Sequence, residues 1–370
     1  MKNFLRALPV EAYVLLVPVC IFFLCITIFA LTCHGGWGAC GAEFLQGHFL
    51  ATIFDGKTFT AIIVPLFAYT ACTLFIMWLR KNKESTATVI VQNLRSFFFV
   101  FGIFYLATIA TAFSVQLLFN GVDPIHAGVV SNKLMALDKI FFGVYPTFYL
   151  QTLITNDVLG FVIVKAYAYL IPVVLLLTVV LVFSKTLLFR KFILAYFIAG
   201  AIGIPFWILV PAVSPSSMYR LNELHMTPPV AVMQSLEETK FTPYMTSVFE
   251  KLDTYWRDPS GKSLNITAFP SMHAAWGIVV AVIAIELWAP LALLVIPWVL
   301  AELVGTVYTL QHYAIDTVFG ILVGLGALYL SRKILGVEGR YFTDRYDLFA
   351  SLREFQRQAK KLFCRKKKTG

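Results

Sequence analysis

Two of the six histidines begin apolar segments and have neighbours that suit nucleophilic chemistry. His273 ends the run Phe269-Pro270-Ser271-Met272-His273, and His312 begins the run His312-Tyr313-Ala314-Ile315-Asp316. Because residues four apart share a helix face, Asp316 is predicted one turn from His312 and bonded to its ring. Such a carboxylate fixes the imidazole tautomer and raises the basicity of the other nitrogen. The pattern predicts His312 as a nucleophile or base. A structural interfacial histidine is the alternative.

The elements that position these residues are predicted to be membrane-spanning helices. Of the 370 residues, 59% are hydrophobic and 14% are charged, whereas a globular domain is about half apolar and a quarter charged. This composition excludes disorder and argues against a soluble enzyme. A span needs about 20 apolar residues. The chain is predicted to be an all-α, polytopic membrane protein with eight spans, at 11–32, 58–79, 96–119, 157–183, 190–212, 272–289, 290–310 and 312–331.

The net charge of +10 is interpreted as membrane topology and not as a nucleic-acid footprint. Of the 30 Lys and Arg residues, 21 lie in the N-terminal segment, 80–95, 184–191 and 332–370. By the positive-inside rule, these segments and both termini are cytoplasmic. His273 and His312 then lie at the exoplasmic face. The expected partners are membrane lipids, with no nucleic acid.

Three further features have predicted positions. The stretch Leu137–Pro146 mixes aromatic and charged residues and is too short to cross, so we expect a helix in the outer interface. Cys33 and Cys40 fall on the exoplasmic side, where a disulfide and two free thiols are equally compatible with the spacing. The basic tail either binds the anionic inner leaflet or is solvated.

The two histidine motifs resemble those of the type 2 phosphatidic acid phosphatase superfamily, which carries P-S-x-H at the head of one span and H-x-x-x-D at the head of another. In the phosphatase-type branch the first motif is P-S-G-H, and an S-R pair precedes the second histidine by six to seven residues. Here Met272 replaces that Gly, and Gly305 and Thr306 replace the S-R pair.

The chain is more similar to the branch that includes inositol phosphorylceramide synthase. That branch has P-S-L-H and H-Y-x-x-D, close to the motifs around His273 and His312. It also carries L-D-x-x-x-F-G-x-x-P, matched by Leu137–Pro146, and a proline-rich stretch to which 211–219 is a looser match. The resemblance implies a six-span catalytic core over 135–332. Residues 1–134 then form an N-terminal transmembrane region, and 333–370 form a basic cytoplasmic tail.

The resemblance also implies a mechanism without metal or cofactor. His312 attacks phosphorus and forms a phosphohistidine, Asp316 holds the ring and stabilises its charge, and His273 acts as general acid and then base. No H-E-x-x-H, D-x-D or Cys cluster in the sequence provides a metal site. The expected reaction moves a phospho-headgroup from a phospholipid to a lipid hydroxyl. A lipid phosphate or polyprenyl pyrophosphate phosphatase is the alternative, and a non-enzymatic transporter with a degenerate site is a second one.

The charge on the transferred phosphate needs hydrogen-bond donors and a cation. The backbone N–H groups of Ser271 and Met272 at a helix start, with the Ser271 hydroxyl, are the predicted donors. Arg220 is the first candidate for the cation, with Tyr219 beside it, and a loop arginine on lipid headgroups is the alternative. Lys165 lies about two turns below the outer face, where it either pairs with Glu302 or lies under the phosphate.

Overall fold

The computed structural model describes residues 123–184, 186–256 and 267–338, a helical region with no strand among those residues. The described residues all belong to one compact unit. The predicted spans at 11–32, 58–79 and 96–119 lie outside the described residues, as do Cys33, Cys40 and the tail beyond 338. The α-helices are α1 Pro124–Phe142, α2 Pro146–Leu153, α3 Asp157–Ala168, α4 Leu170–Ser184, α5 Thr186–Leu209, α6 Val230–Glu237, α7 Pro243–Trp256, α8 Met272–Leu287, α9 Ala292–Tyr308 and α10 Ala314–Glu338.

Three of these helical segments are long and apolar enough to cross a bilayer: Leu187–Leu209, Ala289–Tyr308 and Ala314–Gly336. They correspond to the predicted spans at 190–212, 290–310 and 312–331. Helix α8 is equally apolar in character but shorter, at 16 residues. The described part of the chain is thus that of a helical membrane protein.

The predicted span at 157–183 is bent. Helices α3 and α4 meet at an angle of 50°, and together they pass the same test of length and hydropathy. Pro172 lies in the first turn of α4. Because proline has no N–H and its ring clashes with the carbonyl four residues earlier, it interrupts the helix at this point.

The stretch Leu137–Pro146 is not the single interfacial helix that the sequence predicts. Its first part ends α1 and its last residue begins α2. Gly143 between them has φ 73°, a left-handed conformation that favours glycine, and its N–H caps the carbonyl of Lys139. Helix α1 also runs through position 134, where the sequence analysis placed a domain boundary.

Helices α8 and α10 approach closely because α10 carries small residues at the contact. A Cβ atom on Gly320 would lie 2.2 Å from the Ser271 carbonyl oxygen, and one on Gly324 would lie 2.5 Å from that of Ala275. Small residues four apart let helix backbones pack in this way within a membrane. The contact brings the N-terminal ends of the two helices, and with them the two histidine motifs, to one place.

Ion pairs join the opposite ends of these helices. Glu286, near the end of α8, accepts hydrogen bonds from Lys191 of α5 and Arg332 of α10. One carboxylate therefore links three helices at the end of the bundle remote from the histidines.

Candidate active site

The two predicted catalytic histidines lie next to each other. The ring centroids of His273 and His312 are 6.0 Å apart, with the planes inclined by 58°. His273 is in the first turn of α8, is half-buried, and stacks on the Tyr167 ring of α3 at 4.3 Å. Residues separated by 39 positions in the chain thus form one site at the ends of α8 and α10.

The His312 ring is held by a main-chain carbonyl. Its Nδ1 lies 2.8 Å from the carbonyl oxygen of Ala268, and its backbone N–H donates to the carbonyl of Thr306 at 3.0 Å. Since a carbonyl oxygen only accepts, Nδ1 carries the proton and donates it. The lone pair is then on Nε2. Burial lowers the pKa of His312 to about 4, so the imidazole is neutral at neutral pH and Nε2 is available as a nucleophile.

Asp316 does not make the predicted hydrogen bond to His312. Its Oδ2 lies 3.9 Å from Nδ1 and instead accepts the backbone N–H of Tyr313 at 2.9 Å. The prediction placed both residues on one continuous helix, whereas α10 begins at Ala314 and His312 lies in the preceding turn. Asp316 is fully buried, and its Oδ1 has no hydrogen-bond partner among the described residues. The carboxyl group lies near the imidazole ring without a hydrogen bond to it.

The proline-rich segment holds the carbonyl that contacts His312. Ala212 pairs with the segment 267–268 in a parallel bridge, and the N–H of Ala268 donates to the carbonyl of Ala212 at 3.1 Å. The next residue, Val213, donates its N–H to the Ser131 hydroxyl of α1. Helix α1 is therefore connected to the His312 ring through two short extended segments, at 212–213 and at 267–268.

Ser271 is the N-cap of α8, and its hydroxyl oxygen accepts the N–H of Ala274 at 3.3 Å. Its own N–H, a predicted phosphate donor, donates to the carbonyl of Asp316 at 3.1 Å. The N–H groups of Met272 and His273 belong to the first turn, which has no intrahelical acceptors. The Met272 side chain is buried against Gly203 of α5. Its backbone N–H, and not its side chain, is therefore the group available to a phosphate.

The predicted phosphate ligands Tyr219 and Arg220 lie on a π-helical turn, Ser216–Arg220. Tyr219 is buried, and its hydroxyl donates to the Asn132 side-chain oxygen of α1 at 3.0 Å. Arg220 donates from Nε to the Ser216 hydroxyl at 3.0 Å and lies 4.5 Å over the Phe249 ring. The N–H of Ser216 bonds the carbonyl of Leu310, two residues before His312. Tyr219 thus anchors the turn to α1, and Arg220 lies on a segment bonded to the His312 loop.

Lys165 is separated from the histidines. Its ammonium group lies 5.5 Å over the rings of both Phe161 and Tyr169, which are exposed side chains of the same helical region. Tyr167, which contacts His273, is two residues away and therefore about 200° around the helix. Within the described part of the chain Lys165 forms no ion pair with Glu302.

Glu302 is fully buried in α9, where a Cβ atom on Gly277 would lie 2.6 Å from its Oε2. Neither carboxylate oxygen of Glu302 has a hydrogen-bond partner among the described residues. Gly277 is one turn from His273 along α8, so Glu302 lies beneath His273 and not beside Lys165.

Two site residues have no role in the sequence analysis. Asp138, fully buried in α1, accepts the N–H groups of Ala314 and Ile315 at the start of α10, at 2.9 and 2.8 Å. Burial raises the pKa of Asp138 to about 6, although the two N–H bonds oppose that shift. In the sequence, Asp138 is indicated by its place as the acidic residue of the L-D-x-x-x-F-G-x-x-P stretch. No pattern in the sequence indicates Tyr167, because its contact with His273 is purely tertiary.

The positions that carry S-R in the phosphatase-type motif are packing positions here. A Cβ atom on Gly305 would lie 2.8 Å from the Tyr167 Cβ and 2.9 Å from the Ile163 carbonyl. Thr306 is fully buried, and its hydroxyl lies 2.8 Å from that of Thr317 in α10. A serine and an arginine at these positions are therefore incompatible with the helix contacts of this chain.

Among the described residues, no group of three or more His, Cys, Asp or Glu side chains is arranged to hold a metal ion.

Comparison with known proteins places the chain at the level of a superfamily. Searches of curated proteins and of solved structures found no significant match. A family model described as the PAP2 superfamily matches residues 132–330, more than half of the 370 residues. The two histidine motifs lie within that match, as do Ala268, Ala212 and Asp138, and the chain belongs to the PAP2 superfamily.

Proposed function

We propose that this protein is an integral membrane phosphotransferase that moves a phospho-headgroup from a phospholipid to a lipid hydroxyl, as inositol phosphorylceramide synthase does. Membership of the PAP2 superfamily supports chemistry on lipid phosphates. The observation that carries the proposal is the geometry of the His312 ring. Its Nδ1–H is bonded to Ala268, its Nε2 has no hydrogen-bond partner among the described residues, and its centroid lies 6.0 Å from that of His273. A nucleophile and an acid–base group are thus adjacent at the helix ends.

The proposed reaction has two balanced halves. In the first, His312 Nε2 forms a bond to phosphorus while the bond from phosphorus to the diacylglycerol oxygen breaks, and that oxygen takes a proton from His273. In the second, the hydroxyl oxygen of the acceptor lipid attacks phosphorus, its proton passes to His273, and the P–N bond breaks. Asp316, 3.9 Å from Nδ1, stabilises the positive charge of the phosphohistidine.

Phosphate contacts are assigned to the start of α8. The N–H groups of Met272 and His273 are the proposed donors, aided by the positive end of the helix dipole. Arg220 is the proposed cation, because Ser216 beside it is bonded to the His312 loop. Tyr219, Lys165 and the Ser271 N–H are not included, since the contacts described above engage them elsewhere.

The preference for a lipid acceptor over water rests on Gly305 and Thr306. In this chain Gly305 packs against α3 and Thr306 packs against α10, at the two positions that carry the S-R pair in the phosphatase-type branch. We propose that the site opens toward the exoplasmic face and that both termini are cytoplasmic, as the distribution of Lys and Arg favours.

The test uses the purified full-length protein in lipid nanodiscs with labelled phosphatidylinositol, with and without ceramide. We expect a labelled lipid product that depends on ceramide and is absent from His312→Ala. If the protein releases free phosphate from phosphatidic acid and forms no lipid product from phosphatidic acid or phosphatidylinositol, it is a phosphatase instead. Phosphoryl transfer that persists unchanged in a folded His312→Ala variant would contradict the catalytic assignment, and no turnover by folded wild-type protein would support a transporter with a degenerate site.

A further inference from the structure

Asp138 binds the segment that carries the nucleophile although it is 174 residues away in the sequence. Its Oδ1 accepts the N–H of Ile315 at 2.8 Å, and its Oδ2 accepts that of Ala314 at 2.9 Å. Both donors follow directly after His312 and Tyr313. The Asp138 side chain is fully buried, so water does not compete for these bonds.

These contacts complete the capping of α10. The first N–H groups of a helix lack intrahelical acceptors and attract anions. Tyr313 donates to Asp316, while Ala314 and Ile315 donate to Asp138. Three consecutive donors after His312 are therefore satisfied by two carboxylates. The start of α10 is thereby closed to a phosphate, whereas the start of α8 keeps donors at Met272 and His273.

Helix α1, which carries Asp138, also contacts the site along a second route. In α1, Ser131 lies seven residues before Asp138, or about two helical turns, on the same face. The Ser131 hydroxyl accepts the N–H of Val213, and the neighbouring Ala212 bonds Ala268, whose carbonyl holds His312 Nδ1. One face of α1 thus supports both the ring of His312 and the helix start that follows it.

We propose that Asp138 is a positioning residue for the transfer reaction, which orients His312 through the start of α10 and directs the transferred phosphate to the start of α8. This inference rests on the proposed function for its catalytic part. Its structural part, the orientation of His312, is measurable without any substrate. Asp138 touches no reacting atom and acts entirely through Ala314 and Ile315.

The variants are Asp138→Ala, Asp138→Asn and a matched control, Asn156→Ala. Asn156 is exposed, and its side-chain oxygen likewise accepts two backbone N–H groups at the start of a helix, those of Val158 and Leu159 in α3. All three substitutions remove or weaken a two-bond helix cap, but only those at Asp138 affect the segment after His312. Thermal unfolding and gel filtration of each purified protein report whether it folds.

The first measurement is single-turnover formation of phosphohistidine from labelled phosphatidylinositol, with steady-state kcat and KM. Asp138→Ala is expected to lower kcat roughly 100-fold with little change in KM, because a displacement of about 1 Å of a reacting group has that effect. Asp138→Asn keeps one acceptor oxygen and should fall between Asp138→Ala and wild type. Asn156→Ala should lower the unfolding temperature without changing kcat.

The second measurement is the rate at which diethyl pyrocarbonate modifies His312, read by mass spectrometry, with the exposed His126 as internal reference. We expect both Asp138 variants to change the rate at His312 several-fold and to leave His126 unchanged. If wild-type protein transfers no headgroup, the proposed function fails, and this modification rate alone decides the positioning role. Wild-type modification rates at His312 in both folded Asp138 variants, or wild-type kcat in either, would overturn the proposal, as would an equal loss of kcat in Asn156→Ala.

Discussion

His312 and Ala268 are joined by a hydrogen bond of 2.8 Å between the imidazole Nδ1 and a main-chain carbonyl oxygen. In the familiar triad arrangement a carboxylate accepts the hydrogen bond from Nδ1–H and fixes the tautomer. Here the backbone does so, and the carboxylate of Asp316 is 3.9 Å away. The tautomer of His312 is therefore independent of the Asp316 side chain. In the triad, one aspartate both fixes the tautomer and stabilises the positive charge of the ring, whereas here Ala268 fixes the tautomer and Asp316 is left with the second role.

This division predicts a moderate effect of Asp316→Asn. The asparagine oxygen can still accept the N–H of Tyr313, and His312 keeps its bond to Ala268, so only the negative charge near the phosphohistidine is lost. We expect phosphohistidine formation to slow roughly 100-fold, in the range seen when one electrostatic contact to a transition state is removed. Rapid-quench kinetics with labelled phosphatidylinositol measure this rate.

The control for Asp316→Asn is Asp123→Asn, which changes an exposed cap of α1 to an equally good capping residue. It should behave as wild type. A loss in Asp316→Asn as complete as that of His312→Ala would show that Asp316, and not Ala268, determines the tautomer.

A second prediction concerns the contact between α8 and α10. Gly320→Ala places a methyl group where only 2.2 Å separates it from the Ser271 carbonyl, so the two helix starts must move apart. We expect destabilisation of about 1–3 kcal/mol, typical of overpacking, together with loss of transfer activity. Unfolding in denaturant and the ceramide-dependent assay measure the two effects.

Gly326→Ala is the matched substitution in the same helix. Among the described residues a Cβ atom there has no neighbour within 4 Å, so alanine should leave activity unchanged and stabilise α10 by up to about 1 kcal/mol. Equal effects of Gly320→Ala and Gly326→Ala would show that the close approach at Ser271 does not set the distance between the histidines.

A third prediction tests why the phosphatase-type S-R pair is replaced. Thr306→Arg removes the hydroxyl contact with Thr317 and forces a guanidinium into a fully buried position. We expect poor recovery of folded protein and no gain in phosphate release from phosphatidic acid, because an unpaired buried charge is strongly unfavourable. Thr152→Arg, at an exposed helical threonine, should fold normally. A folded Thr306→Arg variant that releases phosphate would identify the chain as a phosphatase with an altered site.

Hydropathy and motif spacing predicted several elements that the structure confirms. The helices at 190–212, 290–310 and 312–331 were predictable because long apolar stretches are a local property of the sequence. The pairing of His273 with His312 followed from two motifs, each at the head of an apolar segment. Each prediction depended on a local property of the sequence, either hydropathy or the spacing within a motif.

The predictions that failed depended on where a helix begins or on distant contacts. His312 was assigned to a helix that starts two residues later, so the helical geometry predicted for Asp316 does not apply. The bond from the Ser271 N–H to Asp316 and the contacts of Asp138 join segments far apart in the chain. Burial of Tyr219 against α1 likewise arises only from tertiary packing. No local pattern encodes such partners.

The pKa of His312 predicts how stability depends on pH. Burial lowers this pKa from 6.5 to about 4, so the unfolded chain binds a proton at His312 that the folded protein excludes. The stability contributed by neutral His312 is therefore fully present above pH 6.5 and is lost as the pH falls toward 4.

Between pH 7 and pH 5 the free energy of unfolding of wild-type protein should fall by about 2 kcal/mol more than that of His312→Asn, as these two pKa values require. Denaturant unfolding in detergent at the two pH values measures the difference. His126→Asn, at an exposed histidine, serves as the control for the substitution itself. If His312→Asn and wild type lose equal stability, the imidazole is not held neutral by burial, and its readiness as a nucleophile at neutral pH requires another cause.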